Sequence, residues 1–478
     1  MKTETVAKTP IPVDEILTHA RAHWDELVAW KLLIWYGEKF FPGISKAKLF
    51  FAGATTEGTD AMFDQRKILR IACGGRFDEH RNGGSGRIPG KCSTILVADY
   101  IELADAPYLR RLFKETLECD ERNVSATRFP QIMKAAYRAF PNDPAFIFRK
   151  SQCVVAAIIK AEMCQFAPKA NEPTLTSLFE EVLKERAEHF TDEKAIEHIK
   201  RLYAESDRAG EEFVTELSFI VKAMFRRDDP IKDISDWVWF VSGILYADQV
   251  AFRTARDFCK ANAVEHRVVM QNGRHLRLGV VQTDLESALQ VMLYFKYDIV
   301  IIKNGKGQVQ VCTAKSARER HGVNLGNFVR MWRWLELPVQ DKETYTWQQL
   351  GVAGNHEGVD TVYYHRGSQE ASVENAYNGT TTHPNVPPTR VALDMLVNCI
   401  QHAFTVDGVA QWMRGRAVRM EKRVKVVVPK ATTPKPQPAV EAVAPQAPVV
   451  ASSEPKGPVT DVEAAFAKAA VVDEGEGK

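Results

Sequence analysis

The sequence has no CxxC pair; its eight cysteines stand apart at 73, 92, 119, 153, 164, 259, 312 and 399. That spacing argues against a zinc knuckle and, with no leader expected ahead of it, predicts reduced thiols in a cytoplasmic compartment rather than disulfides. The first fifteen residues, "MKTETVAKTPIPVDE", lack the apolar core of a secretory signal. No stretch approaches eighteen uninterrupted apolar residues, so no membrane span is expected. Excess charge is missing too: 63 basic against 61 acidic side chains leave +2, which does not by itself indicate a polyanion partner. There is no convincing internal repeat. What remains is a chain of 478 residues, 45% apolar and 26% charged, long enough to bury sizeable cores in two folded domains or more.

The patterning divides that length. Residues 1–148 alternate strand-like runs ("EILTHA", "KAKLFFAGA", "KILRIACGG") with amphipathic ones ("DELVAWKLLIWYGEKF", "STILVADYIELA"). This alternation predicts an α/β domain with a parallel sheet and helices on both faces. Residues 149–262 read as a helical connector without a chemical motif. From 263 to 425 the period changes again: "HRVVMQNGRHLRLGVVQ" and "YDIVIIKNGKGQVQVCTAK" each read as strand, Gly-bearing turn, strand, within a smaller α+β domain. Pro387 and Pro388 stop any earlier helix there, and Thr389 is placed to cap or enter the last one, near "PTRVALDMLVNCIQHAF". In "FVRMWRWLEL" the helical spacing predicts that Phe328, Trp332 and Leu335 share one buried face rather than stacking bases. His321 stands among Lys315, Arg318 and Arg320, a surface that either tracks a nucleic-acid backbone or is solvated. Seven basic groups against Glu421 mark "MRGRAVRMEKRVKVVVPK", and the Pro/Ala/Val-rich tail, 426–478, is expected to be disordered.

Two stretches carry the chemistry. In "ILTHARAHWDEL" a strand ends near Thr18 and a helix starts near Asp25, which puts the turn at the carboxyl edge of the sheet, where open α/β folds bind ligands. His19, His23 and Asp25 there form a mixed nitrogen and oxygen donor set suited to Mn²⁺ or Zn²⁺. The structural alternative makes Asp25 a helix cap, Glu26 a partner of the helix dipole and the histidines polar turn residues. In "IACGGRFDEHRNGGSGRIPGKCST" a second donor cluster, Asp78, Glu79 and His80, follows Gly74 and Gly75 at another strand end. If the two strands are neighbours, the clusters together are able to hold one or two ions that activate water and stabilise phosphoryl charge. A solvated glycine-rich loop is the alternative. "SGRIPGKCS" fails as a P-loop, because Ser85 takes the first Gly position and Cys92 the place of the Mg²⁺-binding hydroxyl; Lys91 and the amides of residues 83–90 remain candidates for a phosphate.

"THARAHWDELVAWKLL", "ILRIACGGRFDEHR" and "ETLECDERN" resemble the metal-binding core of the Asp-His-His (DHH) phosphoesterase superfamily, and most of all the melanocyte proliferating gene product family of metal-dependent hydrolases and 3′-5′ RNA exonucleases. The resemblance extends to "IIKNGKGQVQVCTAK" and "NAYNGTTTHPNVPPTRVALDML", and covers about the first 120 residues and about 240–405. It implies that His19, His23 and Asp25 bind metal, that His80 matches the second His of Asp-His-His, and that Asp120 supplies the last acid. It also implies that His383 and Arg390 approach the substrate phosphate from the second domain, where Thr381 offers a hydroxyl and Arg390 a phosphate-matched fork.

The sequence departs from that family at two positions. Ala72 stands where an ungapped match has the acid that bridges two metals, and Glu79 replaces the first His of Asp-His-His. A gapped match to "GGRFD" lets Asp78 supply the acid instead. The resulting expectation is a cytoplasmic, metal-dependent hydrolase of phosphodiester or phosphate ester bonds, with short RNA favoured over a small phosphate ester and one or two divalent ions, Mn²⁺ favoured. Its metal ligands are His19, His23, Asp25, Asp78, Glu79 and Asp120; Asp25 and His80 are catalytic; Lys91, Thr381, His383 and Arg390 bind substrate. The alternative is a catalytically degenerate relative that binds nucleic acid or a protein, a possibility to which the tail segment "VTDVEAAFAKAAVV" also lends itself.

Overall fold

The structure, a computed structural model, describes residues 9–52, 58–81, 86–121, 128–140, 143–164, 171–226, 234–270, 272–365, 375–378, 386–405 and 407–414. The described residues up to Gly408 form one compact unit, and those from Val409 fall outside it. Thr381, His383, residues 83–85 of the glycine-rich loop, the basic run beyond Arg414 and the tail lie outside the described residues.

The chain is α/β and opens on a parallel sheet. β1 (Glu15–His19) is its central strand, between β2 (Lys48–Ala52) and β3 (Ile68–Arg70), with Glu15 opposite both Lys48 and Ile68. Ile16 and Thr18 are buried while their neighbours are half-buried, the two-residue period of a strand with unequal faces. After β1 comes α1 (Trp24–Tyr36), whose Leu27, Val28, Leu32 and Leu33 are fully buried. The helix α2 (Asp60–Gln65), capped by the Thr59 hydroxyl, precedes β3. A two-stranded ribbon, β4 (His80–Arg81) with β5 (Gly86–Arg87), leads to α3 (Ser93–Tyr100) and then α4 (Arg110–Glu121). Between β3 and β4 the backbone turns through the left-handed region at Ala72, Gly74 and Gly75. At Gly75 a φ of +96° strains any L side chain, and a Cβ there would also stand 2.3 Å from an Asp60 carboxylate oxygen.

The described residues from 144 to 262 are dominated by helices, after α5 (Phe129–Ala139): α6 (Pro144–Cys164), α7 (Leu175–Glu185), α8 (Glu193–Ala209), α9 (Leu217–Phe225) and α10 (Ile234–Asn262). Asp192 caps α8 through two backbone N–H groups and Thr174 caps α7. Within this layer Arg226 is bound by Glu172 and, at 2.6 Å, by Glu211.

The C-terminal region carries the larger sheet, seven mixed strands in the order β10-β11-β12-β9-β8-β7-β6. Its first hairpin joins β6 (Val264–Val269) to β7 (His275–Gln282), and its second joins β8 (Ile299–Lys303) to β9 (Val309–Thr313), as the Gly-bearing turns predict. β7 and β8 are the parallel pair, linked by α11 (Ala288–Tyr294), the crossover that a parallel connection needs. Gly279 lets that helix approach, since a Cβ would meet Met292 at 2.6 Å. Then follow α12 (Lys315–His321), α13 (Gly326–Glu336), β10 (Gly354–His356), β11 (Val359–His365), β12 (Asn375–Asn378) and α14 (Leu393–Ala403).

Two positions differ from the sequence pattern. On α13, Phe328 and Trp332 are buried but Leu335 is only half-buried, and the fully buried polar residue of that helix is Arg333. Its guanidinium donates to the carbonyls of Leu350 (3.1 Å), Val352 (2.7 Å), Gly354 and Val362 (3.0 Å), which stitches α13 to the β10–β11 edge. Thr389 does not cap α14; Ala392 precedes that helix without a side-chain cap. The Thr389 hydroxyl is taken by Glu336 and Trp332 of α13, so tertiary hydrogen bonds win over the local cap.

Candidate functional site

The end of β1 and the start of α1 are tied by one carboxylate. Glu26, 1% exposed, accepts the backbone N–H groups of His23 (2.9 Å) and His19 (3.2 Å) and the Thr18 hydroxyl, while His19 Nδ1 lies 3.0 Å from it. A reach-back of this kind satisfies donors at a helix start and places negative charge at the positive end of the dipole. Burial opposes both charges of the His19–Glu26 pair, but their mutual attraction wins, so the imidazole is raised and the carboxyl lowered. Cys73 is the second neighbour of the His19 ring.

Asp25, one residue earlier and 3% exposed, turns the other way. Its carboxylate accepts the Ser93 N–H at 3.2 Å, and its backbone carbonyl accepts the Thr94 hydroxyl at 2.6 Å. Glu79, also 3% exposed, is reached by the Ser93 hydroxyl at 3.4 Å. The first residue of α3 therefore holds one carboxylate from each of the two motif stretches. The dipole of α3 favours both charges, and they in turn add to the burial that pushes the Cys92 thiol up.

Two donor groups result. His23, Asp25 and Asp120 each offer a ligand atom, all within 4.8 Å of one another, and so do Asp78, Glu79 and His80. Asp120 comes from the last turn of α4, so the first group joins residues almost a hundred positions apart. In the second group Asp78 accepts the N–H of Gly74 at 2.7 Å and that of His80 at 2.8 Å, which braces the loop and leaves the His80 ring 3.0 Å from Asp78 and 3.4 Å from Glu79. The His80 side chain is half-exposed. At the end of β11, His365 is held toward its neutral form by partial desolvation and then by the charges of nearby His80 and Arg318.

The first group borders a cavity of about 370 Å³. One wall is the β1–α1 turn with Arg21 and Trp24, another the end of α4, and the third a face of α5. That face consists of Pro130, Met133, Lys134, Tyr137 and Arg138, the i, i+3, i+4, i+7, i+8 stripe of a helix. Arg138 is bonded to Asp248 of α10 at 3.0 Å, and Arg21 lies 3.9 Å from Glu286 of the C-terminal region, too far for a hydrogen bond.

Of the residues singled out in the sequence, His23, Asp25 and Asp120 meet, and Asp78, Glu79 and His80 meet. His19 stands outside both groups, against Glu26 and Cys73. Lys91 pairs with Asp99 of α3. Arg390 donates its backbone N–H to Glu336 at 3.2 Å and leaves its side chain exposed. Sequence reading missed Ser93, Arg21, His365 and the α5 stripe. The stripe had a signal, the mixed apolar and basic period in "RFPQIMKAAYRAF"; the others depend on contacts between distant parts of the chain.

No family model matches the chain, and no curated protein matches it. Among solved structures, a DHH-domain chain described as a member of a family of ribosomal proteins is similar at 11% identity, covering 81% of this chain and 85% of that one with a TM-score of 0.33. At that TM-score the likeness leaves fold and chemistry to be argued from the residues themselves.

Proposed function

We propose that the protein is a divalent-metal-dependent hydrolase of phosphate esters, working in the cytoplasm on a small ester or short RNA. The observation that carries this reading is the placement of His23, Asp25 and Asp120 on the wall of a cavity that also presents Arg21 and Lys134. One imidazole and two carboxylates fit a borderline ion such as Mn²⁺ or Zn²⁺, and the Ser93 N–H fixes the Asp25 carboxylate in the manner of an outer-shell partner. When bound, such an ion supplies Lewis acidity toward a phosphoryl oxygen and makes water a better nucleophile. The chain's own groups do the rest. Arg21 and Lys134 offset the phosphate charge, and apolar Trp24 and Met133 exclude water around it. His80, braced by Asp78, stands outside the cavity lining and reaches the Asp25 carboxylate through Glu79 and Ser93, which suits it to relay a proton instead of touching the substrate.

The test is a Mn²⁺ titration paired with hydrolysis of a generic phosphodiester by the full-length protein. Asp25→Asn is expected to weaken Mn²⁺ binding at least about tenfold and to abolish turnover; unchanged Mn²⁺ affinity would remove the first group from the reading. A binding-only descendant is the second reading, favoured by Ala72, which offers no carboxylate at the position of the family's bridging acid in the ungapped match, and by His19 being engaged with Glu26 and Cys73. Full Mn²⁺ loading with no hydrolysis of any phosphodiester or monoester would favour it.

A further inference from the structure

The cavity beside His23, Asp25 and Asp120 is built asymmetrically, and the asymmetry selects a ligand. Its α5 wall alternates apolar and basic positions within one stripe: Pro130 and Met133 on one turn, Lys134 and Arg138 on the next. Trp24, 4% exposed and edge-on to Phe129 at 5.9 Å, fixes the opposite wall. Arg138 is committed to Asp248. Lys134 is solvent-accessible and makes no ion pair among the described residues, and Arg21 reaches its nearest acid only at 3.9 Å. Two cations are thus under-compensated at a cavity whose volume, about 370 Å³, lies near the lower bound of small-molecule sites, about 300–1,000 Å³. An internal stretch of a nucleic-acid strand needs an open groove tracked by many basic groups, and a pocket of this size does not provide one.

Resting on the hydrolase reading above, we infer that the cavity is the recognition subsite for a compact organic phosphate, with Lys134 and Arg21 taking the phosphate oxygens and Met133, Pro130 and Trp24 the organic group. Lys134 is the phosphate-binding residue and the apolar wall sets the preference among phosphates: an ammonium binds phosphate as a point charge, with no geometric demand that another cation on a long stem could not meet. The substrate class is accordingly a small phosphate monoester rather than the interior of an RNA chain.

The experiment is calorimetric titration of the full-length protein, with Mn²⁺ present, by phenylphosphonate, whose P–C bond is not hydrolysed, and by inorganic phosphate and a short single-stranded RNA in parallel. Phenylphosphonate is expected to bind about tenfold more tightly than inorganic phosphate, the difference being the apolar wall. Lys134→Met should weaken both about tenfold, and Lys134→Arg should restore them. Met133→Ala should weaken phenylphosphonate more than inorganic phosphate and so reduce the preference for the phenyl compound. Unaltered phenylphosphonate affinity in Lys134→Met, with circular dichroism showing a native fold, would overturn the assignment. So would RNA binding that is tighter than phenylphosphonate and indifferent to Lys134. Failure of the hydrolase reading shows elsewhere, as Mn²⁺ affinity that ignores Asp25→Asn.

Discussion

Asp25 and Glu26 are adjacent acids, both buried, with different duties. Glu26 is saturated by three donors from the end of β1 and the start of α1 and lies against the His19 ring, so its charge is spent on joining strand to helix. Asp25 gives its carboxylate to Ser93 and retains the approach of His23 and Asp120. Substitution should separate them. Glu26→Gln turns one acceptor oxygen into a donor group amid donors and should cost about 1.5–3 kcal/mol of stability, read as a lower midpoint in urea unfolding with an unchanged slope. Asp25→Asn keeps an acceptor oxygen for the Ser93 N–H and should shift the midpoint far less while weakening Mn²⁺ binding. Equal destabilisation by the two would place Asp25 in the framework instead of the site. The sequence motif itself does not tell these acids apart, because capping and ligation ask for the same residue types at a helix start; only the side each carboxylate faces decides.

At the scale of elements, what was legible follows from periodicity. β1, α1, the two hairpins β6–β7 and β8–β9 and the run of central helices stand in the sequence as local patterns of two or 3.6 residues, and Gly-bearing turns fix the hairpins. The meeting of His23 and Asp25 with Asp120 was legible only through family resemblance, since nothing local to "ETLECDERN" says that the end of α4 faces the β1–α1 turn. Arg333 was not legible. Its spacing marks a helix face, but a buried guanidinium makes sense only once the carbonyls of Leu350, Val352, Gly354 and Val362 are present. Burial pulls its pKa down to about 10, which leaves it charged at neutral pH, and its planar fork addresses several carbonyls at once. Arg333→Lys should therefore fail as a conservative change, losing about 3–5 kcal/mol as carbonyls go unpaired, whereas Arg330→Lys on the same helix should cost little. The Arg226 clamp makes a pH prediction. Its hydrogen bond to Glu211 holds that carboxyl below the usual 4.5, against burial. A lowered folded-state value contributes stability above pH 4.5 and loses it as pH falls, because the unfolded chain takes up the proton first. Arg226→Gln should be less stable than the parent at neutral pH and should lose stability less steeply below pH 4.5; parallel curves would show that the clamp is not linked to Glu211 titration.

Across the whole chain, the N-terminal turn and the C-terminal region approach at Arg21 and Glu286, separated by more than 260 positions. The contact is long, at 3.9 Å, with both side chains part-exposed, so its worth to folding is about 0–1 kcal/mol. Its electrostatic position is more informative. Burial pushes the Glu286 carboxyl up, while Arg21 and Arg138 pull it the other way, so this carboxylate already lies in the field of two cations at the cavity. An arriving phosphate competes with it for Arg21. Removing the charge with Glu286→Gln should leave global stability nearly unchanged and tighten phenylphosphonate binding several-fold in low salt, where two charges this close still interact with about 1–4 kcal/mol. Raising ionic strength should shrink the gain, since screening over about 8 Å at 0.15 M acts on part-exposed pairs. If instead the variant binds phenylphosphonate no better at any salt concentration, the C-terminal region does not tune this cavity.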